Sequence, residues 1–142
     1  MTEAHIESEL LAHGTCLTRT RGKSMKPLLK ENRDAVMLMR SDREIKKYDV
    51  VLYKDSLGRY ILHRVIAIKG DVLVIRGDNT YKKERVPKSD ILAYMVSYNR
   101  KGKSRSVDRF GYKLYSRVWN FLYPLRYIAR KPFALVKQVL KK

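Results

Sequence analysis

The sequence predicts a mainly β fold: a compact, mostly antiparallel β-domain with a short N-terminal helix and a C-terminal amphipathic helical tail. Short β-branched runs dominate the middle of the chain, and the two clearest, residues 60–68 (YILHRVIAI) and Val72–Arg76, flank the turn sequence Lys-Gly-Asp. That pattern is typical of an antiparallel hairpin. After residue 109 the apolar residues follow helical spacing instead.

The remaining elements follow in chain order. Residues 3–13 predict a short helix, which Gly14 is suited to end. An extended piece is expected at 15–20, and a constrained turn around Ser24 comes next. Further strands are predicted at 35–39, 48–53 and 91–98, and such short strands separated by glycine-containing turns indicate one antiparallel β-domain.

The charge is distributed unevenly along the chain. The 32 Lys and Arg residues outnumber the 14 Asp and Glu residues and give a net charge of +18, and after Asp108 there is no acidic residue. We therefore divide the chain into a β-domain over residues 1–99, a basic linker over 100–108 and a basic amphipathic tail over 109–142. The single cysteine excludes an intrachain disulfide framework, and we expect no metal and no cofactor.

The tail over residues 109–142 has three interpretations. It can lie on an anionic membrane surface, which basic and aromatic side chains favour. It can pack on the β-domain with its charges in water, or it can bind nucleic acid. We prefer the membrane over nucleic acid. No stretch approaches the roughly 18 apolar residues of a membrane span, and residues 1–14 are polar and acidic, so we expect peripheral association at the cytoplasmic face rather than insertion or export.

Three features are candidates for chemistry. Ser24 lies in a Gly-x-Ser turn, where its hydroxyl and its own backbone N–H can both reach one carbonyl. His63 alternates with apolar residues in a predicted strand, and a histidine on such a face needs a partner. Asp78 belongs to the turn Gly77-Asp78-Asn79 directly after a strand, where a carboxylate can orient an imidazole. Each feature alone has an ordinary structural explanation.

The order of four sequence boxes is more specific than any one of them. G-K-S-M-K-P (22–27), D-V-V-L-Y (49–53), L-H-R-V-I (62–66) and I-R-G-D-N (75–79) together resemble the boxes of the signal peptidase and LexA-type repressor superfamily. The resemblance covers roughly residues 20–98. It implies a β-rich peptidase fold with the serine at the edge of a substrate groove. Because His63-Arg64 stands where other members have a lysine, the chain resembles the Ser–His type of archaeal and endoplasmic-reticulum signal peptidases.

The resemblance also implies roles for individual residues. Ser24 is the nucleophile and His63 the general base, and Gly22, Ser24 and Met25 are the residues expected to bind substrate and stabilise the oxyanion. An acid at or after the GDN box supports the histidine; we prefer Asp78 and keep Glu84 as its rival. The family often has a serine where this chain has Gly22, so oxyanion stabilisation would depend more on backbone donors.

The expected function is that of a serine endopeptidase, with a peptide or precursor protein as substrate, near a membrane. Two alternatives stay open. One is a non-catalytic module that binds a peptide or membrane on the same fold. The other is a LexA-like regulator that cleaves itself, although no helix-turn-helix pattern precedes Ser24 and histidine replaces the expected lysine.

Overall fold

A computed structural model describes residues 4–20, 22–31, 33–40 and 43–129 of the 142-residue chain. It confirms the mainly β prediction, with an eight-stranded antiparallel sheet, a short N-terminal helix and helices near the C-terminus. The helices are Ala4–His13 (α1) and Phe110–Phe121 (α2), and residues 123–129 are also helical. The strands are Thr15–Arg19 (β1), Ala35–Arg40 (β2), Val50–Lys54 (β3), Tyr60–Lys69 (β4), Val72–Arg76 (β5), Glu84–Pro87 (β6), Ala93–Arg100 (β7) and Lys103–Ser106 (β8).

The strand order of the sheet is β1-β2-β7-β3-β4-β5-β6, and β8 pairs with β7 beside this series. Strands β3, β4, β5 and β6 form a meander in which each strand pairs with the next. The chain then returns through a short 3-10 helix, Lys88–Asp90, and β7 enters between β2 and β3. Because of this return, residues from both ends of the domain meet in the middle of one sheet.

Each face of the sheet carries its own hydrophobic core. Side chains alternate along β3, so Val50 and Leu52 join the first core while Val51 and Tyr53 join the second. The first core also contains Ile6 from α1 and side chains from the Ser24 turn and α2, and the second contains side chains from β4, β5 and β6. Sequential residues of one strand therefore belong to different environments, which matters for the acids near His63.

Residues 100–108, expected to be a linker, contain strand structure. Lys103–Ser106 forms β8, and the register of Arg100 with Lys103 leaves a two-residue turn at Lys101 and Gly102. Both turn residues have positive φ, 53° and 81°, as a type I′ hairpin requires. The basic segment is thus a hairpin on the sheet.

The first part of the expected tail, over residues 109–142, is packed on the β-domain. Helix α2 packs on the β-domain and buries Tyr112 and Ser116, so its first part continues the fold. The remainder of the tail, from residue 130 on, lies outside the described residues. None of the helices in the described ranges is both long enough and apolar enough to cross a bilayer.

Candidate active site

Ser24 and His63 line the same cavity, which has a volume of about 270 Å³. Its walls come from α1, from the strands β1 to β4 and from the Ser24 turn, and its apolar lining includes Ile6, Met25, Leu29, Leu38, Leu52 and Leu62. Helix α1 is held beside it by Glu7, whose carboxylate is 2.7 Å from Lys54 Nζ and accepts a 2.5 Å hydrogen bond from Tyr60. The two candidate catalytic side chains therefore border a mainly apolar cavity beside the sheet.

Buried side chains hold the turn that carries Ser24. Residues 24–28 form a turn, and Leu29 N–H donates to the Met25 carbonyl at 2.9 Å. Met25, Leu28 and Leu29 are at most 5% exposed and belong to the first core. Ser24 itself is half-buried, because the apolar residues that follow it take the interior positions. The turn is thus fixed by packing while its serine remains at the cavity.

The GDN box holds the serine turn against His63. Asn79 N–H donates to the Ser24 carbonyl at 2.7 Å, and the Asn79 side-chain amide donates to the Lys23 carbonyl at 3.0 Å. Gly77 lies between the serine turn and His63, where there is no space for a side chain. A β-carbon at this position would lie 2.7 Å from the Ser24 carbonyl oxygen and 3.0 Å from Nε2 of His63. Since both atoms lie that close to one point, only a residue without a side chain allows the serine turn and the imidazole to approach each other.

His63 lies on β4 directly opposite Val51 of β3. Burial lowers the pKa of His63 below its ordinary value, although the negative charges of Glu84 and Asp78 oppose the shift. The imidazole is therefore neutral at neutral pH, as a general base must be. Its Nδ1 is buried and has no hydrogen-bond partner among the described residues, whereas its Nε2 lies on the side of Ser24. No hydrogen bond joins the Ser24 hydroxyl to the imidazole.

Asp78 does not contact His63 by a hydrogen bond; its carboxylate is occupied by other groups. Arg64 donates to both of its oxygens, from Nε at 2.8 Å and from Nη2 at 2.9 Å, and Tyr115 donates to Oδ2 at 2.8 Å. Because Arg64 and His63 are neighbours on β4, their side chains point to opposite faces of the sheet. Asp78, the acid preferred from the sequence, thus binds Arg64 rather than His63.

Glu84, the rival acid, belongs to the face of the sheet that carries His63. Tyr53, two residues from Val51 on β3, lies on that face with its ring centroid 6.4 Å from that of His63. Its hydroxyl donates to Glu84 Oε2 at 2.6 Å. Burial and this carboxylate raise the pKa of Tyr53, so the phenol keeps its proton. Glu84 is therefore linked to the surroundings of the imidazole through one tyrosine.

The residues expected to stabilise an oxyanion lie at or next to Ser24, the candidate nucleophile. Gly22, Ser24 and Met25 all line the cavity. No described residue accepts a hydrogen bond from the backbone N–H of Ser24 or Met25, so both donors are available within that part of the chain. Gly22 has φ of 76°, a left-handed conformation that a serine at this position would adopt only with strain. Here the glycine fits the turn.

The chain has no significant match among family models, curated proteins or solved structures.

Sequence reasoning missed three residues that complete this region: Arg64, Tyr53 and Tyr115. Arg64 is 1% exposed, and Asp78 and Tyr112 raise its pKa although burial opposes its charge. A signal for it was present, because an arginine next to His63 in a buried strand needs a carboxylate on the opposite face. Asp78 and Arg64 provide each other with that partner. Tyr53 and Tyr115 had no comparable signal, because their hydroxyl partners come from distant segments.

Proposed function

We propose that this protein is a serine endopeptidase in which Ser24 is the nucleophile and His63 the general base, and that it cleaves a peptide or precursor protein. The observation that carries this proposal is the close approach at Gly77. A β-carbon on this residue would lie 2.7 Å from the Ser24 carbonyl oxygen and 3.0 Å from Nε2 of His63, so the serine turn and the imidazole are neighbours. A neutral, partly buried imidazole that lines the same cavity as Ser24 supports the proposal, because the base and the nucleophile of an acyl transfer must share one site.

The proposed reaction proceeds in two stages. His63 Nε2 accepts the Ser24 proton as the hydroxyl oxygen attacks the substrate carbonyl, and the backbone N–H groups of Ser24 and Met25 stabilise the oxyanion. The imidazolium then gives its proton to the leaving amine, which produces an acyl-enzyme on Ser24. Water then attacks that ester while His63 takes its proton, and the imidazolium returns the proton to the Ser24 oxygen as the acid product leaves. The apolar cavity receives a side chain of the bound segment.

We assign Glu84, rather than Asp78, as the acid that supports His63. When Nε2 acts as base, Nδ1 carries the proton and needs an acceptor, yet it has none among the described residues. Glu84 lies on the same face and is bonded to Tyr53, whose ring packs beside the imidazole. A shift of this carboxylate from the phenol to Nδ1 would stabilise the imidazolium, whereas Asp78 would have to abandon Arg64.

An active-site probe tests the proposed nucleophile. We expect a fluorophosphonate to label the wild-type chain at Ser24, and we expect Ser24→Ala and His63→Ala each to abolish labelling. Ser56→Ala and His13→Ala are matched controls at exposed positions and should label at the wild-type rate. Mass spectrometry should place the adduct on the peptide that contains Ser24. Labelling that persists in either site variant would contradict the assignment.

A non-catalytic peptide-binding module is a second candidate, favoured by one observation: no hydrogen bond joins the Ser24 hydroxyl to His63. In that case the cavity would bind an apolar peptide side chain without cleavage. Peptide binding that survives Ser24→Ala, together with no labelling of the wild-type chain, would favour this module over the peptidase.

A further inference from the structure

Helix α2 and the helical residues 123–129 that follow it bind the GDN box and the loop after it through one aromatic face. Trp119 Nε1 donates to the Asp78 carbonyl at 2.8 Å, and Tyr123 donates to the Tyr81 carbonyl at 2.9 Å. Arg126 donates to the Asp78 carbonyl at 3.1 Å, and its guanidinium lies 4.1 Å from the centroid of the Trp119 ring. The polar ends of these aromatic side chains are thus used within the protein.

The opposite face of the same helix exposes an apolar stripe. Six exposed apolar residues between Phe110 and Ile128 form this stripe, and they follow one another at intervals of four, four, three, four and three residues. At 3.6 residues per turn they span an arc of roughly 80° around the helix axis. The Leu122 N–H donates to Val118 and the Arg126 N–H to Leu122, both at 2.9 Å, so the helical hydrogen bonding continues into residues 123–129. We call this the apolar stripe; its members and exposed fractions are Phe110 79%, Leu114 50%, Val118 44%, Phe121 81%, Leu125 65% and Ile128 64%.

Basic side chains accompany this stripe. Arg109, Lys113 and Arg117 are exposed and, by helical spacing, follow one edge of it. No acidic residue occurs after Asp108 in the whole sequence. The surface therefore combines a continuous apolar face with one-sided positive charge.

The charge and the chemistry of the stripe decide between its possible occupants. Self-association through this face would bring two chains of +18 together and is opposed by their repulsion. Single-stranded nucleic acid binds through aromatic rings on which bases stack, but only Phe110 and Phe121 of the six stripe members are aromatic, and the four aliphatic side chains between and after them give no stacking surface. An anionic bilayer takes up both features, since the apolar side chains enter the acyl boundary and the basic ones contact lipid phosphates.

We propose that the apolar stripe of α2 and residues 123–129 lies in the interface of an anionic lipid bilayer, with the helix parallel to the membrane plane. The face that binds Asp78 then points away from the lipid. The GDN box, and the Ser24 turn bonded to it, lie about one helix diameter, roughly 10 Å, above the surface. Membrane binding through the stripe does not depend on the peptidase activity proposed above.

Flotation of the full-length chain with vesicles tests this proposal. We expect binding to phosphatidylcholine vesicles that contain phosphatidylserine, and at least about tenfold weaker binding to pure phosphatidylcholine. Phe110→Ser with Phe121→Ser should weaken binding to the anionic vesicles by at least about tenfold, because two large apolar side chains no longer enter the bilayer. Leu57→Ser, which alters an equally exposed leucine in the β3–β4 turn, is the matched control and should bind like the wild type.

Further measurements show whether the double variant stays folded and distinguish a bilayer from the other candidates for this surface, a second chain or single-stranded RNA. The emission of Trp119, the single tryptophan, should be the same in the free wild type and the free double variant, which shows that α2 remains docked. Equal binding of wild type and double variant to anionic vesicles would overturn the proposal. It would also be overturned if the stripe substitutions abolished a dimer in sedimentation, or abolished binding to single-stranded RNA, while lipid binding was unchanged.

Discussion

Substitution of Gly77 by alanine tests the geometry of the candidate site most directly. The new β-carbon would lie 2.7 Å from the Ser24 carbonyl oxygen and 3.0 Å from two atoms of the His63 ring, Cδ2 and Nε2. Ordinary carbon contacts begin near 3.5 Å, so the turn and the ring must separate by roughly 0.5 Å or more. The carbonyl cannot move freely, because it also accepts the 2.7 Å hydrogen bond from Asn79.

Two magnitudes follow from this displacement. Overpacking of a buried site costs about 1–3 kcal/mol of unfolding free energy. A misplacement of about 1 Å between reacting groups can cost about a hundredfold in rate, so we expect fluorophosphonate labelling of Gly77→Ala to fall by roughly tenfold to a hundredfold. The assays are urea denaturation for stability and labelling kinetics for the site.

Gly111→Ala is the matched control. A β-carbon at Gly111 has no atom within 4 Å, and the residue lies exposed in α2. Alanine in a helix is favoured over glycine by about 0.5–1 kcal/mol, so this variant should be slightly more stable and should label at the wild-type rate. If Gly77→Ala had wild-type stability and wild-type labelling, the close approach of the Ser24 turn to His63 would be refuted.

Further predictions concern His63 and the two acids. Burial lowers the pKa of His63, so as the pH falls the unfolded chain takes up a proton on this residue at a higher pH than the folded chain does. The part of the unfolding free energy that depends on the neutral imidazole is therefore complete above about pH 6.5 and is lost as the pH falls. His63→Gln should therefore show a smaller decrease in unfolding free energy between pH 7 and pH 5 than the wild type, whereas the exposed control His5→Gln should match the wild type. Glu84→Gln removes a charge that raises the pKa of His63, so the midpoint of the labelling–pH profile should move to lower pH and the maximal rate should fall. Asp78→Asn breaks a buried ion pair with Arg64 and should cost about 3–5 kcal/mol in urea denaturation, with a smaller change of that midpoint. A larger midpoint shift for Asp78→Asn than for Glu84→Gln would reverse the assignment of the supporting acid.

Strands with buried side chains were predictable from the sequence, and edge strands were not. Val72–Arg76 occurs where its β-branched run predicts it, and four of its five residues are buried. Strand β6 has one buried residue, Val86, and β8 has none, so neither has an apolar alternation in the sequence. Charged edge strands are paired through their backbones, and a side-chain pattern does not report such pairing.

The helical spacing of the tail was predictable, but the face that packs was not. Helix α2 has one face of tyrosine and tryptophan and, opposite it, the apolar stripe, and each is apolar enough to be buried. The aromatic face packs because its hydroxyl and indole groups find acceptors at Asp78 and Tyr81. Those acceptors lie about 40 residues earlier in the chain, so sequence spacing within the helix does not reveal them.

The role expected for Asp78 shows how a motif can predict a position and leave its function open. In the structure the GDN box lies beside Ser24 and His63, and its three residues make three different contacts. Gly77 admits the imidazole, Asn79 binds the serine turn, and Asp78 joins Arg64 to α2. A single tight turn therefore connects α2, through Asp78, with the Ser24 carbonyl, through Asn79. The proposed membrane contact and the candidate active site therefore share one structural element, the GDN box, which binds α2 on one side and the Ser24 turn on the other.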